Sequence, residues 1–359
     1  MPIYTNNRLN QPINKIYVKR NPNEEYKEVK SVYATNPANT EHLVYSNVLN
    51  WNPTFMPSSA SFTSNACATN GLDIQIYVPV RSNFALQVTP TVWTSFDMES
   101  RLWTSGTFGI DTYFFVSSDV LGNNYCFFNS STGVKTYGRL GNTSTESLYL
   151  RGICYYANNF YIVGGDSSKV QSFIYQIPYS SLLNPESWLR IDNTVTNRVE
   201  QWGDVAANST GILLAPSLNG NSSYNFGFYY APTQSWGTHV MGIQQRWLRV
   251  FCGNDTFISF DNYSRGSRNL AVWIGSVNGT PRIVNLPEHN SILGDITFGN
   301  GRFVIVGSGG ISFESFNGLD WTKNTLNLNY RYNQITYRSI DNTFITVPNN
   351  TIEAAYARG

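Results

Sequence analysis

Charge is scarce in this chain. Only 13% of its 359 residues are charged, about half the usual share of about 25%. The 24 Lys and Arg nearly cancel the 23 Asp and Glu, leaving a net charge of +1. Such a balance removes the electrostatic drive for nucleic-acid binding, which draws on clustered cations. Long apolar runs are missing as well. FVIV at 303–306 is among the longest, far short of the roughly 20 residues a spanning helix needs. No stretch carries apolar residues at helical spacing, so long helices are not expected. The start, MPIYTNNRLNQPINK, lacks the apolar centre of a secretory signal, and the expectation is synthesis in a cytoplasm without a signal peptide. On that expectation the N-x-S/T triplets at Asn129, Asn221, Asn262 and Asn278 are chance matches in a chain rich in Asn, Ser and Thr. Cysteine is sparse too. Cys67, Cys126, Cys154 and Cys252 form no C-x-x-C pair, which argues against a zinc or redox centre and reads them as small buried hydrophobes.

What the chain does contain is aromatic residues, 15% of the total, together with 28 glycines. Tyr, Phe, Val, Ile and Thr suit a pleated surface, and Asn and Gly suit turns at positive φ. These residues recur with a period. The strand FVIVG at Phe303 has counterparts beginning at Gln75, Phe114, Phe160, Ile212, Phe257 and Phe344, separated in chain order by 39, 46, 52, 45, 46 and 41 residues. A second short strand precedes six of these anchors, as in SGTFGIDT, GICYYANN, GDVAANST, RVFCGNDT, DITFGNGR and QITYRSIDN. Trp-Thr follows at a fixed distance: Trp321 stands 18 residues after Phe303, and Trp93 stands 18 after Gln75. Four short strands in about 45 residues mark a propeller blade.

The last unit ends without a fourth strand, which would leave a bare edge of unpaired backbone groups. An orphan strand, LVYSNVLNWNPTF at 43–55, carries Trp51 at the fourth-strand position, 24 residues before the next anchor. The prediction is an all-β, seven-bladed propeller over 43–359, closed by pairing around Trp51 with residues 351–357. Six blades, with Trp93 on the closing strand, is the alternative. Innermost strands crowd the axis and favour small residues, which places Cys67, Cys154 and Cys252 there, too far apart for disulfides.

Residues 1–42 fall outside the repeat and form a separate arm. KIYVKR and YKEVKSVYA flank Asn-Pro-Asn-Glu-Glu, the pattern of a β-hairpin turning at Asn21 to Asn23. A lone hairpin is marginal in water and should dock on something, either the propeller flank or a larger assembly. KIYVKRNPNEEYKEVKSVYA followed by LVYS resembles the N-terminal modules of tailed-phage structural proteins. GNGRFVIVGSGGISFESFNGLDWT is similar to the propeller repeats of phage tail fibres and of the sialidase-like group. The resemblance implies a virion component at the tail that touches the host surface, with residues 1–42 contacting other virion proteins and homo-oligomers allowed.

Sialidase-like propellers carry Asp-boxes, and Ser315-Phe316-Asn317-Gly318-Leu319-Asp320-Trp321 is the nearest match, with Asn for Asp and one residue fewer before Trp. It marks a hairpin and carries no chemistry. Asp204 and Asp295 stand eight residues before their anchors and are expected to face the ring centre; they read as hydrogen-bonding groups of the inner strands rather than as paired acids of a glycosidase. The histidines His42, His239 and His289 have no partner at metal-ligand spacing. No cofactor or metal is expected. Binding is favoured over catalysis. Loops between second and third strands share a face with those joining blades, and that face gathers 217–224, 244–247, 261–268 and 329–333. Tyr and Arg among Ser, Gly and Asn are what recognition loops use, since rings stack on sugars and Arg grips carboxylate or phosphate. The nominated receptor-binding residues are Tyr224, Tyr263, Arg265, Arg268, Tyr330 and Tyr332, for a host surface glycan or protein. Two other functions stay open: a virion structural or decoration protein that docks other virion proteins, and a glycan hydrolase.

Overall fold

A computed structural model describes residues 98–358 except 121, 142–146, 167–170, 193–200, 218–224, 242–244, 327–329 and 349–352, and before them Leu49, Asn70 and a series of strands. The fold is all-β. Among the described residues helix is confined to three-residue 3₁₀ turns, and no helix is long and apolar enough to cross a membrane.

Seven four-stranded antiparallel sheets follow one another among the described residues. Their innermost strands are Ser64–Thr69, Trp103–Gly109, Leu148–Tyr156, Trp202–Asn208, Arg249–Gly253, Leu293–Gly299 and Tyr332–Arg338. Each lies against the next, and Tyr332–Arg338 lies against Ser64–Thr69, so the inner strands form a closed ring. This is a β-propeller. All seven sequence anchors fall on second strands, among them Thr112–Ser117, Gly211–Pro216, Arg302–Gly307 and Thr343–Pro348, each buried along its whole length. Burial on both faces is why they read as unbroken apolar runs.

The seventh sheet is built from both ends of the repeat region. Glu353–Arg358 pairs antiparallel with Asn50–Phe55, placing Ala357 opposite Trp51. Trp93 instead begins Trp93–Asp97, the outer strand of the first sheet, so it does not close the ring. The orphan strand expected over 43–55 is in fact two: Glu41–Ser46 pairs with Ser31–Thr35, and only Asn50–Phe55 joins the propeller sheet. Asn50–Phe55 has the C-terminal strand to pair with, whereas Glu41–Ser46 meets a nearer partner in sequence. In the arm, Ile16–Val18 pairs with Lys27–Val29, as the hairpin pattern requires, and Ile3–Thr5 adds a third strand. The turn expected at Asn21 to Asn23 lies outside the described residues. YKEVKSVYA, taken as one strand, is split between Lys27–Val29 and Ser31–Thr35, which belong to different sheets.

Turn chemistry matches the sequence. The two-residue turns Ala157-Asn158, Asn254-Asp255 and Asn300-Gly301 have positive φ at both positions, the conformation whose twist suits a tight hairpin and which Asn, Asp and Gly adopt at low cost. Asn317 behaves as the Asp of an Asp-box would. Its Oδ1 accepts the N–H groups of Leu319 and Asp320, each at 2.9 Å, while Trp321 Nε1 donates to the Gly318 carbonyl at 3.0 Å.

Candidate functional site

Most of the inner strands share an irregularity near their start. In six of the seven the pairing register with the second strand slips by one residue near the start, between Ser64 and Ala66, Trp103 and Ser105, Leu150 and Gly152, Trp202 and Asp204, Leu293 and Asp295, and Tyr332 and Gln334. A bulge re-aims the side chains beyond it. Asp204, Arg249, Asp295 and Gln334 each stand four residues before the end of their strands, and all four line a central cavity of about 330 Å³.

Arg249 links the two carboxylates. Its Nη2 donates to Asp295 Oδ1 at 2.9 Å, and its Nη1 lies 3.6 Å from Asp204 Oδ2. The remaining carboxylate oxygens take backbone amides. Asp204 Oδ1 accepts the N–H of Val205 at 3.0 Å, Asp204 Oδ2 accepts that of Val250 in the next sheet at 3.2 Å, and Asp295 Oδ2 accepts that of Ile335 in the sheet after its own at 3.2 Å. The two aspartates therefore face the centre, as their spacing indicates, and they tie neighbouring inner strands together. Burial pushes the Asp204 carboxyl up to about 6, against the opposing pull of the Arg249 guanidinium and of the two amides. Burial also works against the charge on Arg249, but the Asp295 and Asp204 carboxylates outweigh it and hold the guanidinium above its ordinary value.

Three cysteines line the same cavity, and all four in the chain are unpaired thiols. Burial raises Cys67 and Cys154, and lifts Cys252 to about 12. Protonated thiols are poor nucleophiles and poor metal ligands. Among the described residues no three His, Cys, Asp or Glu side chains gather as a metal-binding group. His239 is packed on Phe228 and donates from Nε2 to the Val277 carbonyl at 2.7 Å. His289 donates to the Ser267 carbonyl and accepts the Ser291 N–H through Nδ1. Neither lines the cavity. The side chain of His42 lies outside the described residues.

Above the charged layer a smaller recess of about 210 Å³ opens at the mouth, lined by Thr104, Arg249, Asn262, Leu293, Gly294, Arg331, Asn333 and Gln334. It belongs to the face carrying the loops between second and third strands. One of these, 261–268, is held rigidly. Asp261 Oδ1 accepts the N–H groups of Tyr263 and Ser264, Gly266 donates to the Ser291 carbonyl at φ +72°, and Arg268 Nε donates to the Leu286 carbonyl at 2.9 Å. The loop thus presents Tyr263, 59% exposed, with the Arg246 guanidinium 5.1 Å from its ring centre. Arg265 and Arg268 are exposed beside it.

Of the nominated residues, Tyr263, Arg265 and Arg268 therefore share one loop on this face. Tyr330 is half-buried against the core, and its carbonyl accepts the Gly310 N–H. Tyr332 must be corrected: it is 0% exposed, begins the inner strand Tyr332–Arg338 and packs with Trp51 and Phe344. The apolar body of the ring fills the space between two sheets, which leaves it nothing to offer a ligand. Tyr224 lies outside the described residues. Sequence reasoning missed Arg249, although it stands eight residues before the Phe257 anchor, the same spacing that singled out Asp204 and Asp295. Arg246, Asn262 and Arg331 lie in the segments 244–247, 261–268 and 329–333 that the sequence assigned to this face without nominating them, whereas Gln334 carries no motif and was missed.

No protein-family model matches the chain, and no curated protein matches it. Solved structures do. A virginiamycin B lyase from Staphylococcus aureus, in a catalytically inactive form with quinupristin, superposes with a TM-score of 0.68 at 10% identity, covering 86% of this chain and 100% of that one. YCF48 bound to D1 peptide gives 0.61 at 11% identity over 86% of this chain and 95% of the other. YCF48 from Cyanidioschyzon merolae gives 0.62 at 12% identity, covering 86% and 98%. These neighbours are propellers. At such identities the likeness establishes the fold alone.

Proposed function

We propose that this chain is a seven-bladed propeller that acts by binding, holding an anionic surface glycan on the face around the mouth recess. Residues 1–42 are proposed to attach it to a tailed-phage virion, at the tail, after synthesis in the host cytoplasm. The blade count rests on the seven four-stranded sheets and on the pairing of Asn50–Phe55 with Glu353–Arg358. The observation that carries the binding reading is the loop 261–268, which presents Tyr263, Arg265 and Arg268 beside Arg246 and Arg331. A rigid loop loses little entropy on binding, and guanidinium with aromatic surface suits acidic sugars. Preference for a non-enzymatic role comes from the central layer. Both carboxylates are occupied by Arg249 and by strand amides, whereas a glycosidase needs one free to protonate a leaving group and another to face the sugar.

The test is adsorption of the purified chain to bacterial cells and to their isolated surface polysaccharides. The Tyr263→Ala, Arg265→Ala double variant is expected to lose adsorption while melting at the wild-type temperature. Unchanged adsorption would show that this face is not the one used. Protein docking is the second reading, favoured by the neighbour YCF48, which is bound to a peptide. On that reading a virion protein, not a cell, captures the chain.

A further inference from the structure

We infer that His289 is an acid-sensitive latch for the loop 261–268, gripping the loop while its imidazole is neutral and releasing it on protonation. The inference rests on the binding reading above, in which that loop meets the ligand, and gives the loop a regulator.

Connectivity is the first argument. The loop joins the second and third strands of the fifth sheet, and the segment 286–292 joins that sheet to the sixth. Two bonds fasten the middle of the loop to this segment: the Gly266 N–H donates to the Ser291 carbonyl at 2.9 Å, and His289 Nε2 donates to the Ser267 carbonyl at 3.1 Å. The ends of the loop are held separately, by Asp261 Oδ1 and by the pairing of Arg268 with Leu286. Only the middle therefore depends on the histidine.

The tautomer is the second argument. The Ser291 N–H donates to His289 Nδ1 at 3.2 Å, so Nδ1 has no proton and Nε2 has the one given to Ser267. A second proton can go only to Nδ1, where it faces the Ser291 N–H donor to donor. The Ser291 peptide must then turn away. Its carbonyl is the acceptor for Gly266, so one proton breaks the contact with Ser291 directly and loosens the loop through it.

Charge is the third argument. The charged side chains acting on the ring are Arg268, on the loop, and Lys323, on the outer strand of the sixth sheet, whose Nζ reaches the Glu288 carbonyl at 3.1 Å. An imidazolium would be a third cation beside them. Asp261 is engaged by the Tyr263 and Ser264 amides and Glu288 is exposed, so neither carboxylate answers it. Burial, with the Phe313 ring 5.0 Å away, holds the imidazole below its ordinary value; the Ser267 carbonyl pulls the other way, and Lys323 and Arg268 add to burial. A released ring titrates near 6.5, so the released loop takes the proton more readily. The grip is complete above about pH 6.5 and weakens as pH falls from there.

Hydrogen–deuterium exchange of the full chain, followed on the peptide spanning 261–268 and corrected for the intrinsic pH dependence of exchange, tests this. Below about pH 6.5 the loop is expected to exchange faster, by up to about tenfold per pH unit, the limit for release coupled to one proton. The strand Arg302–Gly307 should stay protected. Asp204 titrates at about 6 and touches Arg249 of the same sheet, so a variant identifies the responsible group. His289→Asn, which keeps an acceptor for Ser291 and cannot be charged, is expected to show no rise. If it fails to fold, Lys323→Ala on the surface takes its place and is expected to shrink the rise. The latch is overturned if the wild-type loop exchanges alike at about pH 7 and about pH 5, if His289→Asn keeps the rise, or if Lys323→Ala leaves it unchanged. Acid release of the loop in a chain that adsorbs to no cell keeps the latch and sinks the receptor reading. Adsorption by a chain whose loop exchanges alike at both pH values sinks the latch alone.

Discussion

Asp204 and Asp295 occupy equivalent positions in their strands, yet their partners make them unequal. Asp295 has the close contact to Arg249, at 2.9 Å against 3.6 Å for Asp204, and burial makes Asp204 hard to ionise. An unfolded Asp titrates near 3.9. Because the folded value is raised to about 6, the folded chain holds this proton more tightly. The favourable contribution of the group is complete below about pH 4 and is lost as pH rises through about 6. In Asp204→Asn that loss is absent, so denaturant unfolding should show the variant gaining on the wild type between pH 4 and 6. Parallel curves across that window would mean that Asp204 ionises as freely in the folded chain as outside it. At this scale legibility was uneven. Spacing exposed the aspartates, and the same spacing exposes Arg249. Tyr332 misled because NYRYN has loop composition while the strand starts inside it, and the slip between Tyr332 and Gln334 breaks the alternation that would reveal burial.

Elements pack by exchanging volume between neighbouring sheets. Near the end of four inner strands an aromatic residue sits against one on the second strand: Phe108 with Tyr113, Tyr155 with Phe160, Phe298 with Phe303 and Tyr337 with Phe344, at centroid distances of 4.7, 5.0, 4.7 and 4.8 Å. The preceding sheet makes room with glycine. A Cβ on Gly109 would come within 2.3 Å of Tyr155, one on Gly253 within 2.4 Å of Phe298, and one on Gly299 within 2.0 Å of Tyr337. Between the third and fourth sheets the sizes are reversed. Tyr156 stands where the others have glycine, and Ala207 where they have an aromatic; both belong to one cluster. The sequence shows these residues plainly but not which sheet each one fills.

A second contact between elements carries charge. Glu314, 4% exposed, accepts the Leu49 N–H at 3.0 Å, a hydrogen bond from Asn324 at 3.0 Å and one from Arg302 Nη1 at 3.1 Å. It thereby clasps the residue that leads into the strand Asn50–Phe55 to the sixth sheet. Replacing one partner of a buried ion pair leaves the other charge poorly compensated, typically at a cost of about 3–5 kcal/mol. Glu314→Ala should lose stability of that order in denaturant titration, and Glu314→Gln less. Equal stability of Glu314→Ala and wild type would show that the clasp contributes nothing.

The whole molecule depends on one junction between distant parts of the chain. Glu353–Arg358 is flanked by Thr343–Pro348 and Asn50–Phe55, so its removal would leave two unpaired edges in one sheet. Deletion of residues 350–359 should lower the melting temperature by several degrees, at about 1.5–2 °C per kcal/mol lost for a domain of this size, and should promote association through the bare edges. A truncated chain that melts with the wild type would exclude closure as the source of the ring's stability.

The period, the four-strand unit, the turns and the inner position of Cys67, Cys154 and Cys252 were determined by sequence alone, because each arises from local rules of burial, strand alternation and positive-φ turn chemistry. The pairing of Trp51's strand with the C-terminus could also be inferred, since an edge without a partner is a local deficit. Tertiary structure decided the rest. Asp204, Arg249 and Asp295 come from three different sheets, and Thr104 and Gln334 from two more, with Asn262 and Arg331 on loops. Only closure of the ring brings them together around one axis; the spacing of eight residues before an anchor marks Asp204, Arg249 and Asp295 one by one, but not which of them meet.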